Sequence, residues 1–345
     1  MQSNKISPSV AIVILNWNGK HFLEQFLPSV LDSQYENFAI YVADNASSDG
    51  SVELLKNTFS SVKIIELNKN FGFAEGYNRA LKNLKEEYFV LLNSDVKVTP
   101  KWIAPVIELM ESDKQIAACQ PKILSLNNPE YFEYAGACGG WIDKNVYPFC
   151  RGRIFDFCEK DEGQYDDAVP IFWASGAALF IRSNAYQECR GMDEYFFAHQ
   201  EEIDLCWRLQ NAGYKIFVQP SSVVYHLGGG SLQQGSTRKV FLNFRNNLIM
   251  MYKNLDKKER TPKILKRMAL DGVAGGMYLV KGKLSYVIAI LKAHGAFYRW
   301  LWNHKTDNHS RKRLCDLAGV FDGSIVKTFF IQRQKVFSQI VGNKK

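Results

Sequence analysis

A chain of 345 residues, 46% hydrophobic and 23% charged, has ample material for a buried core, which excludes a disordered or low-complexity protein. Its net charge of +8 is uneven, because Lys253 to Lys345 hold 20 Lys and Arg against 6 Asp and Glu and leave the remainder acidic. Seven scattered cysteines without a CxxC pair argue against a disulfide framework or a zinc site and for a reducing compartment.

The first element is the apolar run Val10–Leu15, a strand buried on both faces that ends in Asn16-Trp17-Asn18-Gly19. Phe22, Leu23, Phe26, Leu27, Val30 and Leu31 then repeat at helical spacing. A second strand, Phe38–Ala43, ends in Asp44-Asn45, and Ser47-Ser48-Asp49-Gly50-Ser51 supplies capping residues for a helix through Val52, Leu55 and Phe59. Val62–Glu66 is a third strand. The turn bearing Gly72 and Gly76 leads into a helix whose N-terminus can point N–H groups at phosphate. The fourth strand, Phe89–Leu92, ends in Asn93-Ser94-Asp95 just before Val98-Thr99-Pro100, where the next helix is expected.

Such alternation implies a mostly parallel sheet flanked by helices, with polar groups at three strand ends, Asn16, Asp44 and Asp95, on one rim. One or two rim carboxylates suffice for a hard divalent cation that also binds substrate phosphates. Taken alone, Asp95 could equally open a turn. A dinucleotide-binding domain would need GxGxxG where this chain has NWNG.

From Gln120 to Pro170 the periodicity gives way to short aromatic pieces between glycines, a hairpin-rich insertion on the expected acceptor side. Trp173, Ser175 and Gly176 form a turn into the buried strand ending at Arg182. Glu201, Glu202 and Asp204 open a helix, where negative charge is favoured; Glu201 and Asp204 share a face and Glu202 lies well round from them. An exposed acidic turn paired with Arg208 is the alternative. Lys215–Val218 and Ser222–Tyr225 are strands, and His226 begins the turn Leu227-Gly-Gly-Gly-Ser231. A helix from Arg238 to Asn254 carries Arg245 and Asn246. Ile264 to Trp302 alternates apolar stretches with Lys and Arg, a pattern for helices that pack on the domain or lie on an anionic membrane surface. No nucleic-acid recognition motif accompanies this charge. The N-terminus has no signal-peptide pattern and no apolar run reaches the roughly 18 residues of a spanning helix, so a cytoplasmic protein is expected.

The segments VAIVILNWNG, VADNASSDGS, NKNFGFAEGYNRAL, FVLLNSD, WASGAALFIR, FFAHQEEIDLCWRLQNAGY and HLGGGS stand in an order that resembles glycosyltransferase family 2, in its rhamnosyltransferase-like branch. The resemblance covers roughly residues 9 to 254 and rests on the co-occurrence of the motifs. It implies the GT-A fold in residues 1–254, a nucleotide-binding half at about 9–119 and an acceptor half at about 120–254, followed by a basic helical region at 255–345.

By that resemblance, Asn16, Trp17, Asn18 and Asp44 hold the base and ribose of a dTDP- or UDP-linked sugar, with Asp49 and Asn78 nearby. Asp95, at the end of the DxD-type motif with Asn93 and Ser94, binds Mg2+ or Mn2+, and His226 adds a metal or phosphate contact. Glu202 is the catalytic base, supported by Glu201 and Asp204. Trp173, Ser175 and Gly176 line the sugar pocket, and Arg245 contacts phosphate. Asn93 stands where many members have Asp, so the metal loses a carboxylate; Glu202 stands where many have Asp, one methylene shorter. The implied activity is inverting transfer of a sugar, rhamnose by the branch, to a glycan or lipid-linked acceptor in cell-surface glycan synthesis at the inner membrane face. The alternatives are a nucleotidyltransferase that makes the sugar nucleotide, which would want a glycine-rich basic loop after the first strand, and a non-turning-over scaffold of the same fold.

Overall fold

The computed structural model describes residues 7–228, 236–304 and 311–342. The chain begins with β1 (Val10–Asn16), α1 (Lys20–Leu31), β2 (Phe38–Asp44), α2 (Ser51–Thr58), β3 (Lys63–Glu66), α3 (Gly72–Leu81) and β4 (Tyr88–Asn93). The apolar runs form strands because both faces are covered: every residue from Val10 to Val13 and from Phe89 to Leu92 is fully buried. In α1, Leu23, Phe26, Leu27 and Val30 form the packed stripe. These four strands lie side by side in the order β3-β2-β1-β4, all parallel.

A short strand β5 (Val96–Val98) follows Asp95, and the next helix, α4 (Ile103–Ser112), starts later than Pro100. After β6 (Ile116–Ser125) come the short strands β7 (Gly140–Asp143), β8 (Pro148–Cys150), β9 (Arg153–Ile154), β10 (Phe157–Cys158) and β11 (Val169–Pro170), then β12 (Ala178–Arg182), α5 (Ser183–Glu188), α6 (Glu201–Asn211), and β13 (Lys215–His226). Beyond β4 the sheet becomes mixed: β12 is antiparallel to both β4 and β6, and β6 is parallel to β13. The two expected strands at 215–225 are one long strand with a register shift between Gln219 and Val223. That shift lets its second half pair with β5, with His226 opposite Val96.

The remaining elements are α7 (Thr237–Asn254), α8 (Lys257–Val280), α9 (Leu284–Asn303), β14 (Val320–Phe321), α10 (Ile325–Phe330) and α11 (Phe337–Val341). The C-terminal region is helical over α8 and α9, and it also completes the insertion. β14 adds a strand beside β7 in the small sheet β10-β9-β8-β7-β14. Phe337 packs its ring against Trp141, Phe149 and Tyr165. All seven cysteines are free thiols, and no helix among the described residues is long and apolar enough to cross a membrane.

Candidate active site

The register of the parallel strands sets Asn16 beside Asp44 at the carboxyl rim. Asn16 Nδ2 donates to Asp44 Oδ1 at 3.0 Å and to Ser47 Oγ at 3.1 Å, and the Ser47 amide donates to Asp44 Oδ2 at 2.8 Å. Asn16 is fully buried, yet its Oδ1 has no hydrogen-bond partner among the described residues. A buried acceptor left open at a strand end can take a donor from a ligand or a water. A Cβ on Gly19 would come within 2.6 Å of that oxygen, so glycine keeps the space open. Asn18 adopts φ +52°, which its short side chain tolerates, and its Oδ1 accepts the Ser48 amide at 2.8 Å. Trp17 is left 54% exposed beside this cradle, a surface indole suited to stacking. Asp49 sits just behind, accepting from the Lys20 amide at 2.8 Å and from the Ser51 amide at 3.1 Å, and so caps α1 and α2 together.

Asp95 lies in the turn between β4 and β5, and the pairing of β5 with β13 brings His226 to it: Oδ1 to Nε2 is 3.1 Å. The other imidazole nitrogen lies 3.1 Å from Glu133 Oε2, without the alignment of a hydrogen bond. All three side chains are buried. Burial alone would lower the His226 pKa, but the two carboxylates outweigh it and push it up to about 10. Glu133 was not foreseen; it comes from the aromatic insertion, where no local pattern singles out one carboxylate.

This donor set fits a hard divalent cation. Asp95 would supply an oxygen and His226 a nitrogen once the cation displaces its proton, Glu133 faces the same imidazole, and phosphate oxygens and water would complete the shell. Among the described residues no group of three His, Cys, Asp or Glu side chains could hold a metal ion by itself, so a cation here would need substrate phosphates as further ligands. Asn93 and Ser94 lie in the same turn, partly exposed. Leu227 and Gly228 follow His226, while the rest of the expected glycine turn, from Gly229 to Ser231, lies outside the described residues.

The third part is the start of α6. Three of the four residues before this helix, Phe197, His199 and Gln200, hold φ of +64° to +74°, strain of the kind that persists where surrounding contacts impose it. Asn246, fully buried on α7, imposes it: its Nδ2 donates to the carbonyls of Phe196, Ala198 and His199 at 3.1, 2.9 and 2.7 Å. Glu202 follows, and its Oε2 is buried without a hydrogen-bond partner among the described residues. Burial raises its pKa to about 7. Glu201 is pushed up as well, by burial and then by the charge of Glu202. Asp204 differs. Burial would raise it, but Lys253, Arg208 and Asn254 together hold it below the usual range. It is therefore a fixed anion that locks α6 to α7, while Glu202 remains available near neutrality.

Glu202 and Asp95 are linked through residues 175–177. Glu202 Cβ lies 3.9 Å from the place a Cβ would take on Gly176. The Asn93 amide, two residues before Asp95, donates to Ala177 O at 3.0 Å. Gly176 is thus where the base of the Glu202 side chain on α6 approaches the segment that is hydrogen-bonded to Asn93.

Other expected donor contacts have little polar capacity left. Asn78 Nδ2 donates to Met192 O at 2.8 Å and its Oδ1 accepts from Tyr186 and the Met192 amide, tying α3 to the loop before α6. Trp173 is buried with its indole N–H on Trp141 O at 3.1 Å. Ser175 Oγ donates to Ala135 O at 2.6 Å and accepts from the Ala177 amide. Arg245 braces the same loop, with Nη2 on the Tyr195 carbonyl at 3.0 Å. The α3 N-terminus does not present free N–H groups to phosphate, because Gly72 N donates to Asn70 Oδ1 and Phe73 N and Ala74 N to Phe197 O. A cation not singled out in the sequence, Lys239 at the first turn of α7, acts electrostatically on both Glu133 and His199. Two formed cavities, of about 550 and about 490 Å3, lie elsewhere, and neither is lined by Asp95, His226 or Glu202; the rim geometry, rather than cavity size, identifies this site.

Comparison with known proteins bears on the fold and the family. Residues 9–177 match the model of the family described as glycosyl transferase family 2. The chain is 24% identical over 229 residues to the N-acetylglucosaminyl-diphospho-decaprenol L-rhamnosyltransferase of Mycobacterium tuberculosis, covering 62% of this chain and 75% of that one. It is also 24% identical to the rhamnosyltransferase WbbL of Escherichia coli K12, over 63% and 83% of the two chains. Among solved structures, GalNAc-T7 with UDP, GalNAc and Mn2+ superposes with a TM-score of 0.58 at 17% identity, over 74% of this chain and 49% of that one, about half its length. S. aureus TarS 1-349 with UDP-GlcNAc superposes at 0.56 and 14% identity, over 84% and 81%. With these relatives and this sheet, the chain has the GT-A fold, and its residues 9–177 match glycosyl transferase family 2.

Proposed function

We propose that the chain transfers a sugar, with inversion at the anomeric carbon, from a dTDP- or UDP-linked donor to a hydroxyl of a lipid-linked or polysaccharide acceptor in cell-surface glycan synthesis. The observation that carries this reading is Glu202: its Oε2 is buried without a hydrogen-bond partner among the described residues, its pKa is raised to about 7, and its Cβ lies near Gly176. Rhamnose is the proposed sugar because two relatives named as rhamnosyltransferases align over more than 60% of this chain.

In this reading Asn16, Asp44 and the Asn18 turn hold the nucleoside, with Trp17 against the base. Asp95 and His226 would hold Mg2+ or Mn2+; Mn2+ is present in the GalNAc-T7 complex. The cation supplies electrostatic stabilisation of the leaving diphosphate. Glu202 takes the proton of the acceptor hydroxyl as the new C–O bond forms, and the nucleoside diphosphate departs with the electron pair of the old bond. One carboxylate acting as base, with none needed as nucleophile, gives a single displacement and therefore inversion, in contrast to the two-carboxylate retaining mechanism of glycosidases. The basic C-terminal region supports a peripheral position at the inner, anionic face of the cell membrane, where a lipid-linked acceptor is found; the mycobacterial relative's name specifies such an acceptor.

The test is calorimetric titration of UDP and dTDP, each with and without Mn2+, into wild type and Asp95→Ala. Metal-dependent binding that Asp95→Ala abolishes supports the donor site and names the base. If neither nucleotide binds under any condition, the donor assignment fails and a scaffold of the same fold takes its place.

A further inference from the structure

The helices α8 and α9 present a surface that the catalytic site does not use. On α8, Ile264, Arg267, Asp271 and Gly275 are the packed side. The opposite side carries Leu270, Val273, Met277 and Val280, at helical spacing, and Val280 is 90% exposed. On α9, Ala289, Ile290, Ala293, Phe297 and Trp300 are packed. Leu284, Ile288, Leu291, Tyr298 and Trp302 face out, with Trp302 91% exposed. Lys292 and Arg299 flank that stripe, and Lys281 and Lys283 stand in the turn between the helices. Between Asp271 and Asp307 the sequence contains no Asp or Glu.

The outer stripe of α8 leads directly to the cavity of about 550 Å3. Leu270, about one turn before Val273, and Lys266, two turns before it, line it together with Lys144, Lys327, Ser324 and Thr328. No carboxylate lines it; Asp322, 4.0 Å from Lys144, is almost fully exposed, and the buried Asp143 behind Asn145 accepts the Asn145 and Ile325 amides. Lys266 and Lys327 have no ion pair among the described residues. Three ammonium groups and two hydroxyls around one hollow suit a phosphate, and the apolar stripe leaving it suits hydrocarbon.

We infer that the outward face of the α8–α9 hairpin docks on an anionic lipid bilayer, with the cavity of Lys144, Lys266 and Lys327 taking the phosphate of a lipid headgroup. This rests on the membrane-facing part of the functional reading and gives it a surface. The helices lie in the plane of the interface rather than crossing it, because neither is long and apolar enough to span. Apolar side chains enter the headgroup boundary, the aromatic Tyr298 and Trp302 sit at its depth, and the lysines meet phosphates. A second copy of the chain is the poorer occupant, since two faces rich in cations and free of acids would repel each other.

The experiment is flotation of the full chain with vesicles of phosphatidylcholine, with and without phosphatidylglycerol, at low and high salt. Wild type is expected to bind the anionic vesicles roughly ten-fold or more better than the neutral ones. Val280→Glu/Leu284→Glu should lose binding to both; Lys266→Glu/Lys327→Glu should lose the preference for anionic vesicles. All four side chains are exposed, so melting temperatures should stay at the wild-type value. Nucleotide titration on the same variants separates this inference from the donor assignment: UDP or dTDP binding should be unchanged whichever way the flotation falls. Variants that float like wild type overturn the inference, as does a chain that is dimeric in light scattering and becomes monomeric in Val280→Glu/Leu284→Glu. Inorganic phosphate that binds the lysine cavity without competing with vesicles would overturn the headgroup assignment.

Discussion

Glu202 shows how burial sets both reactivity and a stability cost. Its carboxyl titrates near 7 in the folded chain and near 4.5 when unfolded, so between those values the folded state binds more protons and stability falls as pH rises. Glu202→Gln removes that cost. The variant is expected to be more stable than wild type by roughly 1–3 kcal/mol at pH 8 and indistinguishable from it at pH 4, read from urea midpoints. Turnover should fall by about 10²–10⁴ with nucleotide affinity unchanged, and wild-type activity should rise through pH 7 as the base ionises. A stabilised variant with full activity would remove Glu202 from the mechanism. Asn246 acts one step away. Asn246→Ala frees three carbonyls in the strained turn before α6, so a loss of about 1–3 kcal/mol is expected, with kcat lowered and UDP or dTDP affinity kept; unchanged kcat would make the clamp purely structural. The placement of Asn16 and Asp44 at strand ends, Asp95 just past one and Glu202 at a helix start was legible in the sequence because such boundaries announce themselves locally. Glu133, Lys239 and Asn246 were not, since each acts on residues far along the chain and nothing in its own neighbourhood marks it.

At the level of elements, legibility follows burial. The strands β1, β2 and β4 are covered on both faces, so they read as apolar runs whose ends could be placed to within a residue or two. The strands β7 to β10 and β14 are two to four residues long and set between glycines and aromatics, too short to carry a period. The pairing of β5 with β13 is equally hidden, yet it is what brings His226 to Asp95. The α3 N-terminus shows a different limit: a helix start can be read from sequence, but its blockage by the Phe197 carbonyl is a tertiary fact. Asp49 joins the two levels. Its side chain caps α1 and α2 at once, and although burial would raise its pKa, hydrogen bonds from Ser51 and from the Lys20 amide outweigh that and hold it low. A depressed carboxyl contributes stability above its ordinary pKa and loses it as pH falls through the folded value. Asp49→Ala should therefore cost roughly 1–2 kcal/mol at pH 7, a difference that shrinks toward pH 3 in the same denaturation series. Equal cost at both pH values would mean that packing, not the ionised cap, is what Asp49 supplies.

For the whole molecule, the composition suggested two parts of opposite charge, and the structure joins them more closely than charge alone implies. The last described segment supplies β14 to the small sheet, and Ile325 N donates to the buried Asp143 Oδ2 at 2.9 Å. Phe337, itself buried, closes the ring cluster of Trp141, Phe149 and Tyr165, while its amide donates to Glu159 Oε1 at 2.8 Å. Cutting the chain after Asp256 would strip these contacts along with α8 and α9, so a truncation cannot separate membrane docking from folding; the charge variants of the hairpin can. Phe337→Ala makes the coupling measurable. Removing a buried ring is expected to cost about 3–5 kcal/mol, visible as a lower melting temperature. None of the residues of the nucleoside cradle, Asn16, Asp44 or Asp49, touches this cluster, since they sit on β1, β2 and the turn beyond at the parallel end of the main sheet. Below its melting temperature the variant should therefore bind UDP or dTDP as wild type does while acceptor turnover drops. Nucleotide affinity that falls in step with turnover would show the two halves to be one cooperative unit, with the small sheet as much a part of the donor site as of the acceptor side.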